Sequence, residues 1–160
     1  MMVHRSTHAT PWGFIGLASW QGSLVYVALP HGGSEGELQE EMDAWLRHRL
    51  PVGEAHTEQP ASPTELATLH ERWAQQLIAY MLGERDSFDI PVRMLGTDFQ
   101  RSVWLALQQI PAGSVRTYAE VARAIGRPRA VRAVGQALAA NPLPIVVHCH
   151  RVVSHDGLGG

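Results

Sequence analysis

The sequence predicts two domains: an α/β domain over residues 1–90 and an all-α domain with a helix-turn-helix over residues 91–160. Three observations carry this. The first half opens on an aromatic hairpin pattern and continues into two amphipathic stretches of helical period. The second half holds a capping box, a short helix, a glycine and then an Ala-rich helix. Charge divides at nearly the same place. Residues 1–97 carry six arginines against twelve acids, and residues 98–160 carry seven arginines against three.

Residues 12–20 form an apolar, aromatic strand, and residues 24–29 a second one closed by Pro30. Gln21-Gly22-Ser23 between them is a turn signal, so the pair is a hairpin. After His31-Gly32-Gly33, Ser34 caps a helix expected to run to about Leu50. Its stripe is Leu38, Met42, Trp45 and Leu46, and Pro51 stops it. Residues 51–63 are rich in Pro, Glu, Gln and Ser and are expected to form a loop. Thr64 is expected to cap the next helix, which carries Leu66, Leu69, Trp73, Leu77 and Tyr80 on one face and ends at Gly83. Trp45 and Trp73 sit at core spacing. The second domain begins near Thr97 or Asp98, either of which can cap a helix bearing Phe99, Val103, Trp104 and Leu107.

Bulk composition narrows the functional class. The chain has 160 residues, 45% apolar and 18% charged, so it can bury a core and is not a disordered tail. No apolar run approaches the roughly 20 residues of a membrane span, and the N-terminus has no apolar stretch of signal-peptide length. A soluble cytoplasmic protein with no membrane partner is the expectation. All thirteen basic residues are arginine. Their concentration after residue 97 makes that part the candidate nucleic-acid face, with plain surface scatter as the alternative.

Thr117-Tyr118-Ala119-Glu120 is a capping box that opens a helix over residues 118–125. Gly126 ends it, and a second helix is expected from about residue 129 to 140. Arg129 and Arg132, three apart, would share a face. The pattern fits both a DNA-reading pair and a helical hairpin with solvated arginines. The second helix is otherwise built from small residues, which suits readout of DNA shape more than of base sequence.

Cys149 is the single cysteine. It cannot form an internal disulfide or a multi-cysteine zinc site. It follows Ile145-Val146-Val147, expected to be a short buried extended run, and stands between His148 and His150-Arg151. Two imidazoles and a guanidinium beside a thiol favour the thiolate, and His150 can act as its base. An inert buried thiol is the bland alternative. A metal site is weaker still, since neighbouring residues on an extended segment point to opposite sides.

Cys149-His150-Arg151-Val152 after an apolar run, with Asn141-Pro142 upstream, resembles the active-site motif of the O6-alkylguanine-DNA alkyltransferases. Phe99-Gln100-Arg101-Ser102-Val103-Trp104, Ile110-Pro111-Ala112-Gly113, Thr117-Tyr118 and Arg132-Ala133-Val134-Gly135 fall at family spacing. The resemblance covers about residues 97–160 strongly and residues 10–90 in general layout. It implies a ribonuclease H-like first domain, a winged-helix-like second domain and a protein that acts once, as a monomer and without cofactor or metal. The partner would be double-stranded DNA containing O6-alkylguanine, with O4-alkylthymine as a second lesion. Position by position, Cys149 would be the acceptor nucleophile, His150 its base through a water, and Asn141 the support of the turn carrying the cysteine. Tyr118 would crowd the target phosphate and donate a proton to the departing guanine. Arg132 would fill the gap left by the flipped base. Leu138 and Val152 would line the base pocket, and Gln100, Arg127 and His155 would lie near the DNA backbone. Base flipping is required because the target atom is inaccessible in a duplex.

Two departures follow from the same resemblance. His148 stands where the family usually has proline. The sequence also ends at Gly160, before the family's glycine-rich loop with its tyrosine and the final helix with its glutamate, so the second domain is expected to be truncated and its activity weakened. Glu120 and Asp156 are the acids left to orient His150. A non-catalytic alkyltransferase-like damage binder is the main alternative; such proteins replace the cysteine, which Cys149 argues against. A plain helix-turn-helix regulator leaves the Cys-His-Arg segment unexplained.

Overall fold

The computed structural model describes residues 3–50, 62–148 and 151–153. The chain divides into two units, Met1–Leu95 and Gly96–Gly160.

The first unit is a three-stranded antiparallel sheet with a helix on each face. Strands β1 (Val3–Thr10), β2 (Gly13–Trp20) and β3 (Ser23–Ala28) lie in the order β1-β2-β3. Helix α1 spans Glu35–Leu46 and α2 spans Pro63–Met81. The predicted hairpin is β2–β3. Its turn residues Gln21 (φ 52) and Gly22 (φ 82) are both left-handed, the two-residue turn that matches strand twist. Ile15 to Trp20 of β2 are all buried, because the strand is central and covered on both sides. Even positions face α1: a Cβ on Gly16 would meet Met42 at 2.9 Å, and Ala18 and Trp20 join Met42 and Leu46 in one cluster. Odd positions face α2, where Ser19 bonds His70.

Strand β1 was not anticipated, and its sequence explains why. Apart from Val3, which packs against the Met42 cluster, and Ala9, both of its faces are polar. Arg5 pairs with Asp43 at 3.1 Å and Thr7 donates to Glu35 on the α1 side. His4, Ser6 and His8 face α2, where Ser6 Oγ lies 2.7 Å from His8 Nε2 and 2.6 Å from His70 Nδ1. His70 is fully buried and its Nε2 lies 2.7 Å from Ser19 Oγ. A period-2 search for alternating apolar residues cannot see such a strand. The first unit also runs past residue 90. Leu24 N–H donates to the Pro91 carbonyl and Arg93 N–H to the Leu24 carbonyl, which adds residues 91–93 to the edge of β3.

In the first unit, helix ends differ from expectation in two places. Helix α1 begins at Ser34 as predicted, with a Ser34–Glu37 capping box, but ends at Leu46, not Leu50. The Arg49 guanidinium folds back onto the Trp45 carbonyl at 2.8 Å and satisfies the end there. Helix α2 is capped by Ser62, not Thr64. Pro63 takes the first turn and Glu65 completes the box, so the Ser-Pro-Thr-Glu string reads one cap earlier. Its buried face includes His70 in place of the expected Leu69, which is only half-buried.

The second unit packs α3 (Asp98–Leu107), α4 (Tyr118–Ala124) and α5 (Val131–Ala139). Thr97 is the cap of α3, with Gln100 closing its box. Trp104 is 1% exposed and its indole N–H donates to the Ala137 carbonyl at 2.9 Å, which ties α3 to α5. Gly126 (φ 77) ends α4: its N–H reaches the Arg123 carbonyl and the Arg127 N–H the Ala122 carbonyl, a double closure that needs a left-handed residue. The unit is not wholly helical. Strands β4 (Arg116–Thr117) and β5 (Val152–Val153) form a two-residue parallel pair, too short for a period to register in sequence.

Among the described residues, no helix is long and apolar enough to cross a membrane.

Candidate functional site

The segment after α5 is a compact turn, not the extended run that its β-branched residues suggested. Pro142 and Pro144 remove two donors and restrict the residues before them. Ile145 is forced to φ 74, a region that β-branched residues rarely enter. The Val147 N–H donates to the Leu143 carbonyl at 2.8 Å, closing the turn, and Leu143, Val146 and Val147 are buried. Asn141 holds it from inside. Its Oδ1 accepts from the Leu143 N–H at 2.9 Å and its Nδ2 donates to the Val147 carbonyl at 3.2 Å. One side chain thus spans both ends of the turn that leads to Cys149.

Arg151 is turned inward. It is 7% exposed, and its Nη1 lies 2.8 Å from the Ile110 carbonyl and 2.8 Å from His148 Nδ1. Guanidinium groups only donate, so His148 Nδ1 is the acceptor in that contact. The backbone also links the two residues, Arg151 N–H to the His148 carbonyl at 3.0 Å. Its Nη1 is committed to these two acceptors, and because both are neutral the guanidinium keeps its charge.

From Arg151 the chain enters β5, whose pairing sets Val152 beside Arg116 and Val153 beside Thr117. Thr117 is the N-cap of α4 and Tyr118 its first residue. The start of the helix-turn-helix and the segment two residues beyond His150 therefore lie side by side. The half-buried Tyr118 ring packs over α5 at Gly135, where a Cβ would stand 3.3 Å from Tyr118 Cε2. Val152 is buried and Leu138 half-buried.

Arg132 is exposed at the second position of α5. Helices α1 to α4 each open on a Ser or Thr capping box, whereas α5 opens on Ala130 with no side-chain cap. Its first amides are thus not taken by a cap. Arg127 and Arg129 are exposed in the turn before it, so Arg129 precedes the helix and does not share a helical face with Arg132. Gln100 is engaged in the α3 capping box, its Oε1 accepting from the Thr97 N–H at 2.9 Å. Glu120 is likewise engaged: its carboxylate accepts from the Thr117 N–H at 2.8 Å, and its bonds to Thr117 lower its pKa. Cys149, His150, His155 and Asp156 lie outside the described residues.

Sequence reasoning missed the His148–Arg151 contact and the Tyr118–Gly135 packing. The second had a signal, a glycine inside an otherwise favourable helix, which marks a close approach. The first had none, because nothing local predicts that Arg151 turns inward to Ile110.

Comparison with known proteins places this geometry. A sequence profile described as the DNA-binding domain of 6-O-methylguanine DNA methyltransferase matches residues 98–160. A methylated-DNA–protein-cysteine methyltransferase of Methanosarcina acetivorans is 47% identical over 155 residues, 97% of this chain and 86% of that protein. The inducible Bacillus subtilis protein of the same name is 39% identical over 91% of this chain and 74% of its own length. The Methanosarcina barkeri protein is 49% identical over 105 residues, 66% of each chain. Among solved structures, the O6-methylguanine methyltransferase of Mycobacterium tuberculosis aligns with a TM-score of 0.67 and 35% identity over 98% of this chain and 81% of that one. The same organism's protein in complex with DNA aligns at 0.66 and 34% identity, over 97% and 81%. With an aligned relative of this identity over nearly its whole length, this chain belongs to the methylated-DNA–protein-cysteine methyltransferase family.

Proposed function

We propose that this chain repairs alkylated DNA directly, moving a methyl or other alkyl group from O6 of guanine in a duplex to Cys149. The observation that carries the reading is the β4–β5 pairing. It sets Val152 and Val153, three and four residues after Cys149 in the chain, beside the start of the first helix of a helix-turn-helix, which supports a nucleophile close to the DNA-reading helices.

In the proposed step His150 takes the thiol proton through a water. The Cys149 sulfur then donates its electron pair to the alkyl carbon, and the carbon–O6 bond breaks with its pair on the guanine. Tyr118 supplies the proton that makes guanine a tolerable leaving group, and the net transfer is one proton from sulfur to guanine. A thioether does not revert, so each molecule acts once. Asn141 is well suited to support the turn, given its two bonds across it. Arg132, exposed at the uncapped start of α5, is suited to enter the stack as the base flips, with phosphate contacts from the free amides beside it. Arg127 would meet the backbone, joined by Gln100 and His155, and Leu138 and Val152 would line the base pocket. O4-alkylthymine is a second candidate lesion. The finer architecture, ribonuclease H-like then winged-helix-like, and action as a cytoplasmic monomer belong to the same proposal.

The test is a duplex carrying methyl-labelled O6-methylguanine. Label is expected on Cys149 in the wild type and absent from Cys149→Ala, which should still bind the lesion. Arg132→Ala should slow transfer. Lesion binding with no label on wild-type protein would instead identify a non-catalytic damage binder.

A further inference from the structure

We infer that His148 and Arg151 form a side-chain clamp that positions the Cys149 sulfur for alkyl transfer. The inference rests on the reading above and adds two positioning residues to it. The two residues flank Cys149-His150 in the chain and are joined twice, by the backbone bond from Arg151 N–H to the His148 carbonyl (3.0 Å) and by Arg151 Nη1 to His148 Nδ1 (2.8 Å). The clamp is anchored, since the same Nη1 reaches the Ile110 carbonyl at 2.8 Å beyond the end of α3. A guanidinium that is 7% exposed must keep its acceptors, because a buried charged donor left without one has lost its water and gained nothing in return. Arg151 is therefore held in place by its own burial, and it holds His148.

The restraints on either side make the clamp the central one of three. Asn141 Nδ2 fixes the Val147 carbonyl just before His148, and the pairing of Val152 and Val153 with Arg116 and Thr117 fixes the chain just after Arg151. Between these anchors the His148–Arg151 bonds alone, among those described, bridge the reactive pair. The bond also fixes the imidazole: Nδ1 presents its lone pair to Arg151, so a ring proton resides on Nε2. What Arg151 requires of residue 148 is an acceptor on the atom bonded to Cγ. Asparagine Oδ1 supplies an acceptor at that position; alanine supplies none.

The experiment compares wild type, His148→Ala and His148→Asn in single-turnover transfer from O6-methylguanine duplex, with lesion-DNA affinity measured alongside. His148→Ala should lower the rate at saturating DNA by about ten- to a hundredfold, the scale of a misplaced reacting group, with affinity within about twofold of wild type on the scale of an uncoupled site. His148→Asn should restore the rate to within a few-fold. Transfer by His148→Ala at the wild-type rate, or by His148→Asn as slow as by His148→Ala, overturns the clamp. Because Cys149 is the only thiol, iodoacetamide alkylation of the same three proteins reads the clamp without DNA. His148→Ala should alkylate at a rate several-fold different from that of wild type and His148→Asn, which should match each other, and equal rates in all three also overturn it. A wild type that shows no transfer but does show this alkylation pattern would refute the repair function and leave the clamp standing.

Discussion

Acidification from pH 7 to pH 5 should destabilise the first unit through one buried imidazole, His70. Its hydrogen bonds form a chain: Glu71 to His8 Nδ1, His8 Nε2 to Ser6, Ser6 to His70 Nδ1, His70 Nε2 to Ser19. The Glu71 carboxylate only accepts, so it sets the direction of every other link. His8 Nδ1–H donates to Glu71, Ser6 O–H to His8, His70 Nδ1–H to Ser6, and Ser19 O–H to His70 Nε2. Protonating His70 puts a second donor against the Ser19 hydroxyl, which is itself fully buried and would have to turn its proton away. Burial, with His4 and His8 adding like charge if they protonate, brings the His70 pKa down to about 3 from 6.5. A depressed folded pKa means that the unfolded chain binds the extra proton, so stability is present above pH 6.5 and lost as pH falls from there towards 3. At about 1.4 kcal/mol per pH unit, the fall from pH 7 to 5 costs about 2 kcal/mol for His70 alone. His8, whose pKa is also lowered by burial, acts in the same direction. The capping carboxylates Glu37 and Glu120 titrate below this window and do not confuse it. Urea unfolding at pH 7 and 5, followed by tryptophan fluorescence, measures the loss; four of the five tryptophans lie in the first unit. His70→Gln, which keeps a donor and an acceptor but does not titrate, should flatten the slope even if it is less stable at pH 7. An imidazole proton resonance for His70 that titrates near pH 6.5 in the folded protein would refute the reasoning.

Three further outcomes follow from the geometry. Ser62→Ala should cost about 1 kcal/mol in urea unfolding while Thr64→Ala costs much less, because Ser62 accepts the Glu65 N–H; equal effects would return the cap to Thr64. Gly135→Ala should change stability by less than about 1 kcal/mol, since the helical gain from replacing glycine is offset by a Cβ 3.3 Å from the Tyr118 ring. It should nevertheless slow alkyl transfer several-fold by displacing that ring, and an unchanged rate would detach Tyr118 from the chemistry. Ile145→Gly should destabilise by far less than a usual core isoleucine truncation, because relief of a left-handed β-branched residue returns about 1–3 kcal/mol; a loss above about 4 kcal/mol would mean that Ile145 is held by packing that outweighs its backbone.

The parts of the fold that were legible in sequence are those that local chemistry dictates. Caps at Ser34 and Thr117, the Gln21-Gly22 turn and the Gly83 and Gly126 stops follow from which residues tolerate which backbone, and each is where the residues put it. What was illegible depends on partners distant in the chain. Strand β1 is held by polar groups from two different helices, so neither of its faces carries a hydrophobic period. Residues 145–147 have the composition of a strand, yet Asn141 and the two prolines bend them into a turn that no propensity for Ile or Val would suggest. The site shows the same division. A nucleophile motif can be recognised from adjacent residues, because chemistry needs certain groups close together. Its support cannot, because positioning draws on whatever the fold brings near, here a carbonyl at Ile110 that lies 41 residues from the arginine it binds. An unusual residue beside a reactive one, such as His148, is therefore best interpreted from the contact it makes: its Nδ1 occupies a donor that the buried Arg151 would otherwise leave unmet.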